Sequence, residues 1–308
     1  MFGTTERLVR FLFPVSNDRW LAILRFGLGF QVLFYTISLR KDWTYLFAGT
    51  GNNLTARDLG EVMVALKSPF IPRLGWLINS GVSIGLSEKI ILDLVWGLLL
   101  LAGLCLLAGL YSRLMSVIAW FLHLAATESA QLFPYGMDSF MTIGLFYLMI
   151  APLPDSYSLD RLIRKLPGKD PHFHGFFQRV LQVHLCFIYF FSGLAKCLGS
   201  GWWDGSNLWR ALTRPPFDTI SPSILIQLKV ALPFAGILVC LIELTYPFFI
   251  WLKKTRPTWL VAVLIMHMAI GIIMRMYLFA FVMIVLNLAA FGAELVVPMR
   301  AFRTEPCN

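Results

Sequence analysis

Hydrophobic positions along this chain gather into long runs, about eight of which reach or approach the roughly 20 residues that a helix needs to cross a hydrocarbon layer. They cover Trp20–Leu39, Ile90–Leu110, Leu114–Leu132, Ser139–Leu153, Phe176–Leu194, Ile224–Leu252, Thr258–Met274 and Met276–Val297. The pattern predicts an all-α, polytopic membrane bundle of about eight transmembrane helices, forming one transmembrane domain over residues 1–308. The fourth run is short, and the sixth is long enough to tilt or to break at Pro233 or Pro247. The first run follows Arg7, Arg10 and Arg19, as a secretory signal follows basic residues. It is nevertheless too long for one, carries Arg25 and lacks a small-residue cleavage site, so it is expected to be retained.

Three connections are long enough to hold structure: 40–89, 154–175 and 199–222. The first mixes turn-forming Asn, Gly and Pro with short apolar stretches. The second contains Ser158–Ile163, whose pattern predicts a brief interfacial helix. In the third, Trp202, Trp203 and Trp209 suit a re-entrant or interfacial segment. Lys and Arg favour the cytoplasmic side of short loops. Counting them places both termini and 154–175 inside, with 40–89 and 199–222 outside. For a bacterial chain this means the inner membrane.

Composition agrees with the runs. The chain is 58% hydrophobic and 14% charged, against about 45–50% and 25% in soluble domains. Its mean hydropathy is +0.71. Such a chain cannot cover itself with a water-compatible surface, so membrane lipid is an expected partner. The net charge of +9 sits between the runs rather than in a stripe, which argues against nucleic acid. The cysteines Cys105, Cys186, Cys197, Cys240 and Cys307 form no CxxC pair and predict no metal site.

Ionisable side chains inside a span are expensive and usually face a protein interior or a wet cavity. In the fifth run Gln182, Tyr189 and Lys196 are spaced by seven and share one helical face, with Ser192 one turn before Lys196. That seam predicts either a lysine facing a cavity that opens outward or one that snorkels to the interface. His123, Thr127 and Gln131 share a stripe on the third run, His267 and Arg275 lie two turns apart on the seventh, and Asp138 begins the fourth. Arg25 and Glu243 are expected to neutralise one another or a neighbour rather than to join Lys196, and Asp93 to mark the wet end of a span. No Walker A, dinucleotide-binding glycine pattern, HExxH or GxSxG occurs, which argues against ATP-driven transport and against zinc or serine chemistry.

The segment Tyr189-Phe190-Phe191-Ser192-Gly193-Leu194-Ala195-Lys196, followed by Trp202 and Gly205, resembles the vitamin K-dependent γ-carboxylase family and, more broadly, the bacterial HTTM proteins that share its membrane domain. Leu24–Gly27, Gly109–Arg113, Gly136–Asp138, Ser158–Asp160, Glu243 and His267 are also similar to that family, in the same order along the chain. The resemblance implies that Lys196 is a catalytic base toward reduced vitamin K or another quinone. In the carboxylases, oxidation of the quinol to its epoxide drives removal of a γ-proton from a peptide glutamate and addition of CO2. A lysine is a base only as the neutral amine, a form that a low dielectric favours. Tyr189, Ser192, Trp202, His267, His123 and Asp138 are the residues expected to shape the quinone pocket. Ala195 stands where the carboxylases have a second lysine, and their lumenal substrate-gripping region has no counterpart in this sequence; the expectation is a quinone-linked carboxylase or epoxidase (a lyase) built on that membrane fold. The resemblance also supports a second expectation, since some HTTM relatives accompany the maturation of, or immunity to, small exported peptide toxins. Partners are accordingly an isoprenoid quinone or a small secreted peptide or protein.

Overall fold

A computed structural model describes residues 4–49, 57–130 and 135–293. Every regular element among them is helical. The chain opens with a short amphipathic helix, α1 (Thr4–Leu12), and the first apolar run becomes α2 (Arg19–Ser38). The connection at 40–89 folds into α3 (Trp43–Phe47), α4 (Arg57–Lys67) and α5 (Leu74–Ser83). Next come α6 (Glu88–Ala108), α7 (Ser112–Ser129), α8 (Gly136–Ile150) and α9 (Leu159–Arg164). The second half holds α10 (Pro171–Cys197), α11 (Ser200–Trp203), α12 (Ser206–Thr213), α13 (Pro222–Gln227), α14 (Ala231–Phe249), α15 (Arg256–Ile273) and α16 (Tyr277–Asn287), which runs on as a π-helical turn through Gly292.

Five helices (α2, α6, α10, α14 and α15) are long and apolar enough to cross a membrane, while α8 and α16 are shorter apolar helices. The eighth run continues past Ala293 and Gln131 ends the stripe on the third, so both lie in part outside the described residues. One core joins α2, α6, α7, α8, α10 and α16 around Leu24, Leu28, Leu99, Met141, Leu185 and Leu286. The outer faces stay apolar: Leu94, Leu98, Leu101 and Leu104 of α6 are all exposed, as a lipid-facing surface requires.

Two boundaries differ from the apolar runs. The sixth run divides at 228–230 into α13 and α14, so Pro233 falls in the first turn of α14, where a missing N–H costs nothing, and Pro247 is carried inside the helix. The seventh run ends at Ile273, and Arg275 adopts a left-handed φ of 54° between α15 and α16 rather than continuing the face of His267.

The loop elements α3–α5 pack on the ends of α6 and α7. Trp43 Nε1 donates to Leu92 O at 2.8 Å, and Ser129 Oγ to Glu61 Oε1 at 2.7 Å. Buried Arg57 pairs with Glu88 and with Asp58. In the predicted interfacial helix α9, Ser158 Oγ caps the Arg161 N–H at 3.3 Å.

Candidate functional site

The carboxyl-terminal half of α10 lies directly against α14. At Gly193 the two backbones touch, since a Cβ there would stand 2.5 Å from the Leu244 nitrogen. This close approach brings Glu243 beside Lys196. Lys196 Nζ donates to Glu243 Oε2 at 2.6 Å and to Ser192 Oγ at 2.6 Å. It also stands 5.4 Å from the ring centroid of Trp202, within cation–π range. Its side chain is 21% exposed and that of Glu243 8%, so the ammonium is held by protein rather than directed into bulk water. Trp202 is fixed in turn by α14: a Cβ at Gly236 would collide with its carbonyl. Gly205, the last residue of the motif, takes a φ of 79° and presses on the Pro233 backbone.

Two turns below Lys196, the wholly buried Tyr189 begins a second polar group. Its hydroxyl lies 2.7 Å from His267 Nε2 on α15 and accepts from Asn287 Nδ2 on α16 at 2.7 Å. Asn287 also donates to Met283 O at 2.8 Å, and its Oδ1 accepts from Tyr246 Oη at 2.9 Å. The roles in the Tyr189–His267 bond follow the imidazole tautomer: where Tyr189 donates to Nε2, the imidazole proton sits on Nδ1. That Nδ1 is buried without a partner among the described residues. Four helices thus converge on one polar column inside an apolar bundle.

Of the residues expected from sequence, Lys196, Ser192, Tyr189, Trp202 and His267 share this region. His123 and Asp138 form a separate cluster on α7 and α8. His123 is fully buried, with Nε2 3.2 Å from the Asp138 carbonyl and its ring edge-on to Tyr35. Asp138 lines a cavity of about 280 Å³ with Thr127, Glu128, Tyr135 and Thr142. Phe279 bridges the two clusters, with centroids 5.8 Å from both His267 and Phe140.

One expected pairing is corrected. Glu243 does not neutralise Arg25; it neutralises Lys196. Arg25 instead forms a buried two-pronged pair with Asp155, Nε to Oδ2 at 2.6 Å and Nη2 to Oδ1 at 3.2 Å, and donates to Leu106 O. Asp93 makes an exposed pair with Arg40, as a wet helix end should. Asn287 and Tyr246 were not singled out by sequence. An asparagine in a run of apolar residues was the signal for the first; a tyrosine among aromatics gave none for the second.

The corner around Arg25 gathers three other motif segments, Leu24–Gly27, Gly109–Arg113 and Ser158–Asp160. Asp160 accepts from the Tyr111 and Ser112 amides at 2.8 and 2.7 Å and donates its own N–H to Gly109 O at 2.8 Å. These segments hold α2, α6, α7 and α9 together and lie apart from the Lys196 column.

No curated protein matches this chain, and no solved structure does. The HTTM domain family matches residues 83–293, well over half of the sequence and all of the Lys196 column, and the chain therefore belongs to the HTTM family of multi-pass membrane proteins.

Proposed function

We propose that this protein is a membrane enzyme that takes a proton from a lipid-soluble quinol at the Lys196–Glu243 pair. The observation that carries the reading is the 2.6 Å contact between Lys196 Nζ and Glu243 Oε2 at the head of the Tyr189–His267–Asn287 column. A reduced quinone, when bound, supplies acidic ring hydroxyls and a ring that oxygen can oxidise. The residues fit such a group. His267 Nδ1 is a buried polar atom without a partner among the described residues, and the aromatic surroundings of α10 suit a ring with an isoprenoid tail.

The proton capacity belongs to the pair rather than to one member. An ionic pair can receive a proton on Glu243, and a neutral pair can receive one on the Lys196 amine. Both routes end in the same state, an ammonium beside a carboxylic acid. In that state the Lys196 ammonium would stabilise negative charge on a bound quinol in a low dielectric. Ser192 and Trp202 hold the amine in place from two sides. Orientation follows the charge of the loops: both termini cytoplasmic, with Lys196 toward the opposite face.

A second reading makes the same pair a structural clamp between α10 and α14 in a non-catalytic partner of a small exported peptide. The neutralisation of Lys196 by Glu243 is the observation that favours it. Photolabelling of the detergent-purified chain with an azido-naphthoquinone separates the two. The enzyme reading expects the label on 189–203 and around Glu243. Label distributed over other helices, or none, rejects a quinone site at Lys196.

A further inference from the structure

The opposite end of α10 carries a feature that neither the Lys196 column nor the family assignment uses. Arg179 precedes Lys196 by 17 residues, roughly 25 Å along the helix axis. Arg179 and Arg256 face one polar recess of about 150 Å³, with Ser16, Asn17, Gln178 and Gln182 around it. The Arg179 guanidinium carbon lies between two rings, 4.7 Å from the centroid of Phe11 and 4.8 Å from that of Trp251. Its Nε donates to Phe11 O at 2.9 Å and its Nη1 to Gln182 Oε1 at 3.0 Å. Arg256 donates from Nε to Ile250 O at 3.1 Å and from Nη2 to Trp251 O at 3.4 Å.

Each guanidinium therefore keeps an Nη group for another acceptor. Among the described residues neither has a carboxylate within ion-pairing distance, whereas Arg25, Arg57 and Arg161 each have at least one. Two unneutralised cations facing one recess repel each other and call for an anion between them.

The second half of the feature is apolar. Phe11 and Trp251, the rings that hold Arg179, also wall a groove of about 410 Å³ that runs between α10 and α14 past Val183, Phe187, Phe190 and Phe248. Its lining is wholly apolar, and its volume is in the roughly 300–1,000 Å³ range of small-molecule sites. A free anion would leave the groove unused, and an uncharged lipid would leave the arginines unused. A polypeptide would find no partner there for its backbone N–H and C=O groups. Basic pockets between membrane helices are suited to lipid headgroups. Beside the groove, α1 places exposed Leu8 and Val9 next to Arg7 and Arg10, as a helix lying in the headgroup region does.

We infer that this end of the bundle binds an anionic phospholipid, its phosphate between Arg179 and Arg256 and one acyl chain in the groove beside Phe187 and Phe248. Native mass spectrometry of the full chain, released from detergent with dioleoyl phosphatidylglycerol or dioleoyl phosphatidylcholine, tests it. The wild-type chain retains phosphatidylglycerol in preference to phosphatidylcholine by on the order of thirtyfold, as two basic residues at a headgroup imply. The double variant Arg179→Gln/Arg256→Gln loses that preference. Lys253→Gln/Lys254→Gln, which removes the same charge from the adjacent exposed turn, keeps it. Val183→Trp fills the groove while sparing both arginines, and it lowers retention of phosphatidylglycerol. Equal retention of the two lipids by wild type overturns the inference, and so does equal loss of preference in the two charge variants. Unchanged retention in Val183→Trp, or full displacement of the lipid by inorganic phosphate, overturns it as well. The wild-type and Val183→Trp results decide the matter even if the arginine variant does not fold.

Discussion

At the level of single residues, two ion pairs inside the bundle differ in exposure. Arg25 and Asp155 are almost completely removed from solvent, at 3% and 0%. Breaking such a pair leaves one charge buried alone, so Arg25→Met is expected to cost about 3–5 kcal/mol of stability, read from thermal unfolding in detergent. An unchanged midpoint would mean that the pair does not hold the corner. Lys196 keeps a fifth of its surface, so Glu243→Leu alone should cost less, about 1–3 kcal/mol. The double variant Lys196→Met/Glu243→Leu is expected within about 1 kcal/mol of wild type, because apolar side chains replace both partners. That variant also separates clamp from chemistry: it should stay folded and be inactive. The seven-residue spacing of Gln182, Tyr189 and Lys196 was enough to mark the seam from sequence. The partner of Lys196 was not legible, because spacing along one helix says nothing about which helix lies beside it. Glu243 was expected to pair with Arg25 or a neighbour rather than with Lys196, and the close crossing of α10 and α14 at Gly193 overturns that expectation.

At the level of elements, the motif around Lys196 is largely a description of how α10 meets α14. Gly193 permits backbone contact, Lys196 reaches across it, and Trp202 and Gly205 seat α11 and α12 on the start of α14. Gly193→Ala is therefore expected to lower the unfolding midpoint clearly, since its Cβ meets backbone atoms that cannot turn aside. Gly97→Ala on α6 meets nothing within 4 Å and should be neutral or slightly stabilising through helix propensity. Equal effects of the two substitutions would remove the case for a close crossing. The long helices themselves were legible as apolar runs, and Ser158–Ile163 as a brief helix. The breaks were not. The division of the sixth run at 228–230 and the left-handed turn at Arg275 follow from packing, and the apolar pattern passes through both without interruption.

At the scale of the whole molecule, most of the short motif segments scattered along the chain assemble into two polar centres in an apolar bundle. One, around Arg25, Asp155 and Asp160, ties together the helices of the first half. The other, around Lys196, Glu243, Tyr189 and His267, joins α10, α14, α15 and α16. The order of the segments in the sequence was sufficient to suggest the HTTM family, and the membrane character followed from composition. Their division into a structural and a candidate chemical centre needed the fold. His123 and Asp138, expected beside Lys196, belong to a third cluster on α7 and α8.

The central claim is that the Lys196–Glu243 pair performs proton chemistry on a quinol, and the most direct measurement is product formation. The purified chain in lipid nanodiscs, supplied with a reduced naphthoquinone and oxygen, is assayed for quinone epoxide beside Lys196→Ala of matched folding. The account predicts epoxide with the wild-type chain and a fall to background in the variant. Equal epoxide from both, or none from either, contradicts it.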